Sequence, residues 1–409
     1  MLALTVEDKA LITELNGRDP LGIMAVWQHR ARDLVPSLSA ASNRAEGFQI
    51  LLTALAWWPE FATQHHRRAN ELPQYFLLVE QAFARATRFA GLDGNPGWRL
   101  PGSRRLNAGR DGLWIGKKPN HQLLTSPLNN GTWGIYRGPA RASGLVDDQH
   151  RVEPEIARDL VGRTGVMRKL FPKLVEAMSS ETDEVIDLAH RRDNQVVSGL
   201  VSILAELPSR PYLRARLIEP RSSPITGDLA KLAARRGDDF QRDQFLFAAA
   251  RRLPPHAAVL MRIVHCERLL ASLEQAFEFA CAAETYGTLD ALARALPIDM
   301  AALRQAREDF RNSGTYVGLS DQRAKELCAL DLGSKSSLLL GLLDLHAEVS
   351  KNRGSAPWMT LSSGARLERA IALPLPAQTS IDPGTAWRND YYLYALASLA
   401  RQLKDDRPE

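Results

Sequence analysis

Hydrophobic residues recur every three to four positions along most of the chain, a spacing that is typical of amphipathic helices. The first 90 residues carry several such stripes, and Pro20, Pro36, Pro59 and Pro73 predict the breaks between them. One longer stripe, over residues 256–283, predicts a helix of about eight turns. The pattern therefore predicts a mainly α, multi-helical protein.

The spacing changes near the C-terminus. Residues 352–386 are rich in Gly, Pro and Ser, which are typical of turns and loops. Within this stretch, Trp358 to Leu361 and Leu367 to Leu373 are short runs that can pair as strands. The sequence therefore predicts a small C-terminal strand pair beside the helices.

Residues 91–130 follow neither the helical nor the strand period, and they are rich in Gly, Pro, Asn and Arg. This composition predicts a long loop. Trp98 and Trp114 argue against disorder, because disordered segments are depleted of aromatic residues. A long ordered loop in a compact protein is usually functional, so we expect a surface with a role in binding.

Regular structure resumes after this loop. Residues 133–143 predict a short helix, and Gly144 suits the left-handed position that follows a last helical turn. The residues on both sides of a turn at Asp147-Asp148 can pair as short strands. Pro154 is tolerated in the first turn of a helix and predicts that another helix begins there. The predicted order is helix, two-stranded wing, helix.

The residues that carry this pattern are Tyr136, Ala140, Ser143 to Val146, Asp147-Asp148 and Val152 to Ile156. Together they resemble the recognition helix and wing of winged helix-turn-helix domains, over residues 133–160 only. The resemblance implies that the helix enters a major groove and that Arg137 and Arg141, four residues apart on one face, reach a duplex. The acidic turn departs from the usual basic wing. A protein-interaction module and a plain helical hairpin are the alternatives.

The domain division follows from two signals. Four prolines between residues 207 and 227 predict a linker. Upstream, the capping-box pattern at residues 180–183 predicts a helix from there to Leu204. The expected parts are an N-terminal helical domain (1–90), a basic loop with an inserted winged-helix-like module and helix (91–206), the linker (207–227), and a C-terminal helical domain (228–409).

Positive charge is concentrated in one block. The chain of 409 residues carries a net charge of +5, which is small for its length. Between residues 91 and 145, eight basic side chains face only two acidic ones, so this block is strongly positive. Its glycines and basic side chains are suited to phosphates, and its tryptophans to stacking on bases. The candidate nucleic-acid-binding residues are Arg99, Arg104, Arg105, Arg110, Lys117, Lys118, Arg137, Arg141, Trp98 and Trp114.

Other chemistry finds little support in the sequence. Three widely spaced cysteines indicate reduced thiols, and the start of the chain lacks the pattern of a secretory signal, so we expect a cytoplasmic protein. The longest apolar runs are shorter than the roughly 20 residues of a membrane span. His65 and His66 are adjacent, which is unsuitable spacing for chelation from a helix, and we expect neither a metal nor a cofactor.

Two local motifs have simpler explanations. Residues 333–337 are similar to the end of a nucleotide-binding loop, but the first glycine is missing, so we interpret Ser334 as a helix cap. Residues 288–306 have the spacing of a helix-turn-helix without a basic face, which favours ordinary helix packing.

The sequence favours a non-catalytic nucleic-acid-binding subunit of a larger bacterial-type complex, with protein partners and no membrane contact. A helical protein-interaction adaptor or scaffold is the first alternative. An enzyme whose site lies between domains is the second, and the sequence leaves the question of enzymatic activity open, because it contains no catalytic motif that we can name.

Overall fold

The structure is a computed structural model. It describes residues 19–90, 100–102, 106, 114–118, 121–179, 186–187, 194–235, 242–283, 285–314, 319–362, 366–371, 373 and 380–404. This part of the chain is mainly helical, as the hydrophobic spacing predicts. Among these residues, no helix combines the length and the apolar character needed to cross a bilayer.

Helices follow one another along the whole described chain. In the first half they are α1 (Met24–Leu34), α2 (Ala45–Gln64), α3 (Leu72–Phe89), α4 (Pro127–Asn130), α5 (Thr132–Ala142), α6 (Pro154–Arg163), α7 (Val166–Ser179) and α8 (Asn194–Glu206). In the second half they are α9 (Arg210–Leu213), α10 (Pro224–Ala234), α11 (Arg242–Arg252), α12 (Ala257–Ala282), α13 (Leu289–Ala295), α14 (Met300–Asn312), α15 (Leu319–Ala329), α16 (Lys335–Asn352) and α17 (Leu393–Gln402). The long helix predicted from the stripe at 256–283 is α12.

Two antiparallel strand pairs accompany the helices. Strand β1 (Trp114–Ile115) pairs with β2 (Ile186–Asp187), and β3 (Met359–Ser362) pairs with β4 (Arg366–Arg369). The second pair confirms the predicted C-terminal strand pair.

Two predictions of local structure were wrong. Strand β2 lies where the sequence predicted a helix to Leu204, and α8 begins only at Asn194, while residues 180–183 lie outside the described part. The extended form of Ile186 comes from pairing with a distant segment, which local spacing does not report. Pro59 does not end a helix either. Helix α2 continues through it to Gln64, with Trp57 and Phe61 buried on either side.

The local elements predicted for residues 132–160 are present. Helix α5 ends before Gly144, which has a φ of 72° and thus adopts the left-handed conformation that favours glycine. Val146 and Val152 form an antiparallel bridge, and Pro154 occupies the first turn of α6. A complete winged-helix domain is a larger claim, and it stays a prediction.

The chain clusters into two compact units. The first unit contains Met1–Leu34 and Asp238–Tyr391, and the second contains Val35–Gly237 and Tyr392–Glu409. Residues 207–227, predicted as a linker, contain α9, a π-helical turn at Arg214–Ile218 and the start of α10. The four-part domain division predicted from the sequence stays a prediction.

The core of the first unit surrounds α12 and contains a buried carboxylate. Glu267 is fully buried and accepts hydrogen bonds from the backbone N–H groups of Arg388 and Asn389, from Asn389 Nδ2 at 3.0 Å and from the Tyr391 hydroxyl at 2.8 Å. Burial raises the pKa of the Glu267 carboxyl, and these four donors oppose that rise. The side chain thereby fixes residues 388–391, which have no regular secondary structure of their own.

A buried histidine ties a second irregular segment to the same core. His346 Nε2 accepts the Trp358 N–H at 2.8 Å, so this nitrogen is unprotonated and Nδ1 carries the hydrogen. That hydrogen is donated to the Pro20 carbonyl oxygen, 2.9 Å away. Burial lowers the pKa of His346, in agreement with a neutral ring.

The second unit is built on α2, most of whose side chains are buried. Gln49 Oε1 accepts hydrogen bonds from Ser209 N at 2.8 Å and Ser209 Oγ at 2.6 Å. Gly47 lies against the ring of Tyr136 so closely that a Cβ atom there would stand 2.2 Å from the ring. The absence of a side chain at position 47 therefore lets α5 pack directly on α2.

We expect Glu267→Ala to destabilise the first unit by at least about 3 kcal/mol, because it leaves several buried donors without an acceptor. Glu267→Gln keeps one acceptor oxygen and should cost about half as much. Urea unfolding followed by tryptophan fluorescence measures both variants. Equal stability of Glu267→Ala and the unchanged protein would contradict a structural role for this carboxylate.

We expect Gly47→Ala to destabilise the second unit by about 1–3 kcal/mol, because the new methyl group collides with the buried ring of Tyr136. Gly162→Ala is the matched control. Gly162 lies in α6, and beyond its chain neighbours and the backbone of its own helix no described atom stands within 4 Å of the position that a Cβ would take there, so the change should stabilise by about 0.5–1 kcal/mol. Thermal unfolding by circular dichroism measures both. The same shift from the two substitutions would refute the tight contact.

Candidate nucleic-acid interface

Helix α3 of the second unit is the support on which the basic elements lie. Its polar residues Glu80, Gln81 and Arg85 are all buried, within an otherwise apolar stretch. Buried polar groups of this kind require partners. Each of the three has one on a segment that the sequence assigned to nucleic-acid binding.

Glu80 holds the start of α5. Its Oε1 atom accepts a hydrogen bond of 2.6 Å from Thr132 N, in the first turn of that helix. A carboxylate is favourable there because the N-terminus of a helix carries partial positive charge. Burial raises the pKa of Glu80, while the bonds to Thr132 oppose that rise. Gly131 leaves room for the contact, since a Cβ atom there would lie 3.1 Å from Glu80 Oε1 and 2.4 Å from the Pro127 carbonyl oxygen.

Gln81 holds the loop that follows β1. Its Oε1 accepts the Gly116 N–H at 3.0 Å, and its Nε2 donates to the Gly116 carbonyl oxygen at 2.9 Å. One side chain therefore pairs both polar groups of a buried residue. Lys117 and Lys118 follow directly, so Gln81 determines where their backbone lies.

Arg85 contacts Trp114, one of the two tryptophans proposed to stack on bases. The guanidinium carbon lies 3.6 Å from the centre of the indole ring, and the ring of His121 meets the same indole edge-on at 5.0 Å. Trp114 is half-buried. The arginine covers one face of the indole, so a base could stack only on the accessible part of the opposite face of Trp114.

Lys117 and Lys118 are both half-buried. Lys117 Nζ lies 3.4 Å from the Met178 carbonyl oxygen, a long and weak hydrogen bond. The Lys118 carbonyl oxygen accepts the His121 N–H at 2.9 Å. The backbone on one side of the two lysines is therefore held by the Gln81 side chain, and the backbone of Lys118 by its bond to His121.

Arg137 and Arg141 lie one turn apart on α5, as expected. Arg137 is half-buried, with its guanidinium carbon 5.3 Å from the centre of the Trp133 ring. Arg141 is exposed and forms an ion pair with Asp148 at the turn. Exposed ion pairs contribute little to stability, so a phosphate can compete for this arginine.

The hairpin after α5 is organised by Asp147. Its Oδ1 accepts the N–H groups of Gln149 and Arg151, at 2.9 and 2.8 Å, and its Oδ2 accepts Arg151 Nε at 2.7 Å. These bonds lower the pKa of Asp147. Arg141 and Arg151 thus balance the two aspartates of the acidic turn. The negative charge of the turn, which departs from the usual basic wing, is therefore balanced by ion pairs with nearby arginines.

His150 lies beside these arginines. Its ring meets Trp133 edge-on at 5.2 Å, and its φ of 61° places it in the left-handed region. Burial lowers the pKa of His150, and the positive charges of Arg137 and Arg141 lower it further. The imidazole is therefore neutral at pH 7 and adds no positive charge to the surface.

The remaining proposed residues, Arg99, Arg104, Arg105, Arg110 and Trp98, lie outside the part of the chain that the structure describes. The structure places Trp114 on β1, Lys117 and Lys118 on the segment that follows it, and Arg137 and Arg141 together on one helix. Sequence reasoning missed Glu80, Gln81, Arg85 and His121. The signal was three polar residues within the apolar stripe of α3, a pattern that predicts buried hydrogen bonds.

Other motifs have structural explanations in the first unit. Ser334 caps α16 by accepting the Ser337 N–H, as the sequence predicted. On α14, Arg304 and Arg307 donate to the carbonyl oxygens of Leu332 and Leu330, each at 3.0 Å. Their charge is used to hold the loop before α16. Among the described residues, no group of three or more His, Cys, Asp or Glu side chains is arranged to hold a metal ion.

We expect Glu80→Ala to release the first turn of α5 and to destabilise the second unit by about 2–3 kcal/mol, because the buried Thr132 N–H loses its acceptor. Glu80→Gln retains an amide oxygen and serves as the matched control, with a loss below about 1 kcal/mol. Hydrogen exchange at residues 132–136, read by mass spectrometry, reports the release directly. Unchanged exchange in Glu80→Ala would show that the carboxylate does not cap this helix.

Comparison of the chain with known protein families finds no matching family model. Comparison with curated proteins finds no match either. The same is true of solved structures. The functional argument therefore depends on the geometry of the second unit alone.

Proposed function

We propose that the second unit binds nucleic acid by contacting backbone phosphates. The observation that carries this proposal is the common support of the two basic elements. Glu80 on α3 holds the helix that carries Arg137 and Arg141, and the neighbouring Gln81 holds the loop that carries Lys117 and Lys118. Four cationic side chains are thereby presented from backbone positions that buried hydrogen bonds fix before any ligand binds.

Phosphate is the ligand that this chemistry suits. Lysine pairs with phosphate as a point charge, and the guanidinium fork of arginine can donate two parallel hydrogen bonds to it. Gly138 on α5 is exposed, and beyond its chain neighbours and the backbone of its own helix no described atom stands within 4 Å of the position of a Cβ, so a nucleic-acid backbone could approach this face closely. Contacts of this type position a nucleic acid without reading its sequence.

We further propose that α5 and the following hairpin act as the recognition helix and wing of a winged-helix-like module. The helix, the bridge between Val146 and Val152, and the start of α6 at Pro154 support this assignment. The neutralised turn suggests that the wing contributes shape and that α5 and the loop contribute charge. We place this activity in a non-catalytic subunit of a larger complex.

A protein-interaction role is the second candidate, and one observation favours it. The arginines around the hairpin already have carboxylate partners, since Arg216 donates to Glu153 at 2.8 Å in addition to the pairs at the acidic turn. A surface of matched ion pairs can dock on a protein by exchanging partners. Under this alternative the second unit would bind an acidic protein and would show weak affinity for nucleic acid.

Salt dependence of binding tests the proposal. A fluorescent duplex of about 20 base pairs and a single strand of the same length are titrated between about 50 and about 200 mM salt. The variant replaces Lys117, Lys118, Arg137 and Arg141 with Ala. We expect its affinity to fall at least about tenfold at low salt. The slope of the logarithm of the binding constant against the logarithm of the salt concentration should become shallower by about 3, close to one per lost phosphate contact.

The matched control removes the same number of lysines and arginines from exposed positions of the first unit, Arg251, Arg252, Lys325 and Lys351. It has the same net charge as the test variant, so general electrostatic attraction changes equally in both. Binding should remain close to that of the unchanged protein. Equal losses in the two variants, or no detectable binding at low salt, would refute the proposed interface.

A further inference from the structure

The first unit contains an open groove of about 520 Å³ at the junction of α15 and α16. The end of α15 and the loop after it form one wall, and α16 forms the other. Its lining combines an apolar floor with an acidic rim. The floor residues are Ala329, Leu330, Leu340, Gly341 and Leu345, and the rim residues are Glu326, Asp331, Asp344 and Glu348, with Ser337 between them.

The groove has fixed walls. Arg304 and Arg307 of α14 donate to the carbonyl oxygens of Leu332 and Leu330, which holds the loop at the end of α15. Asp331 Oδ1 accepts the Gly333 N–H at 2.8 Å. At the floor, Gly341 lies so close to Leu330 that a Cβ would stand 2.8 Å from Leu330 Cδ2. The missing side chain at position 341 therefore keeps the two walls close without filling the groove.

Four carboxylates line the rim, and Arg323 and Arg307 lie near them. Arg323 pairs with Glu326 at 2.8 Å and approaches Glu348 at 3.9 Å. The hydrogen bond from Gly333 lowers the pKa of Asp331, so this carboxylate is ionised at neutral pH. Asp344 is exposed on the same wall. With Arg323 and Arg307 counted, the groove keeps an excess of about two negative charges, which repels nucleic acid and attracts cationic groups.

The positions on α16 define the length of a complementary ligand. Leu340, Asp344 and Glu348 follow at intervals of four residues, on one face of the helix. From Ser337 to Glu348 this face extends about 16 Å, at 1.5 Å per residue. Leu340 is 38% exposed, so its side chain is available to an apolar group of a ligand. A ligand that covers Leu340 and reaches Glu348 must span about 12 Å, or just over two helical turns.

We propose that this groove docks a basic amphipathic helix of a partner protein. An apolar side chain of that helix would cover Leu340 and Leu345. Lysine or arginine residues one and two turns further would pair with Asp344 and Glu348. The apolar floor distinguishes this ligand from a hydrated metal ion, and the acidic rim distinguishes it from nucleic acid. The inference does not depend on the function proposed for the second unit.

A synthetic peptide tests the proposal. The probe is a labelled helical peptide of about 12 residues, with leucines on one face and lysines spaced by four beside them. We expect the full-length protein to bind it with a dissociation constant on the order of 10 μM at low salt. Asp344→Lys with Glu348→Lys should weaken binding at least about tenfold, and Leu340→Ala alone about threefold, because each removes one part of the recognition.

Two controls make the result specific. Glu155→Lys with Glu206→Lys produces the same charge change at exposed positions of the second unit and should leave binding unchanged. A peptide of the same composition with its leucines scattered around the helix should bind at least about tenfold more weakly. Circular dichroism confirms that each variant is folded before it is compared.

Three outcomes would overturn the proposal. The first is no binding of the amphipathic peptide by the folded protein. The second is equal binding of the scrambled peptide or equal loss in the control variant, which would indicate general charge attraction. The third is a change of sedimentation coefficient on Asp344→Lys with Glu348→Lys, which would assign the groove to contact between two copies of this chain.

Discussion

Two neighbouring buried side chains on α3, Glu80 and Gln81, set the positions of both basic elements of the second unit. A buried peptide group that loses its hydrogen bond costs about 1–3 kcal/mol, so the contacts with Thr132 and Gly116 strongly favour one arrangement of helix and loop. Arg85, one turn beyond Gln81, extends the same support to Trp114. The consequence for binding is preorganisation, because the backbone that presents the charges is already fixed and less conformational freedom is lost when a ligand arrives.

Charge around the hairpin is balanced within the protein. Each of Arg141, Arg151 and Arg216 has a carboxylate partner on the segment from Asp147 to Glu153. The geometry of the turn depends mainly on the backbone hydrogen bonds accepted by Asp147, and the exposed ion pairs add little. Such pairs can be exchanged for phosphates without disturbing the hairpin. An acidic turn is therefore compatible with a nearby anion-binding helix, although its charge alone would suggest the opposite.

In the first unit too, buried side chains hold segments that lack regular secondary structure. Its groove, in contrast to the basic elements of the second unit, is acidic. Glu267 and His346 fix residues 388–391 and the segments at Pro20 and Trp358, none of which has regular secondary structure to hold it. Arginines of α14 fix the loop that forms one wall of the acidic groove. The two units thus offer surfaces of different chemistry, and the ligands that we propose for them belong to different classes.

Hydrophobic spacing by itself determined the helical class, the long helix α12, the C-terminal strand pair, and the order of helix, bridge and helix over residues 132–160. These features depend on neighbours in sequence, and so does the cap at Ser334. Tertiary structure alone decided that Ile186 and Asp187 form a strand, that α2 continues through Pro59, and that Glu80, Gln81 and Arg85 support the basic elements. The reason is that pairing and burial join residues far apart in the chain, and local spacing contains no information about which distant group will meet a given side chain.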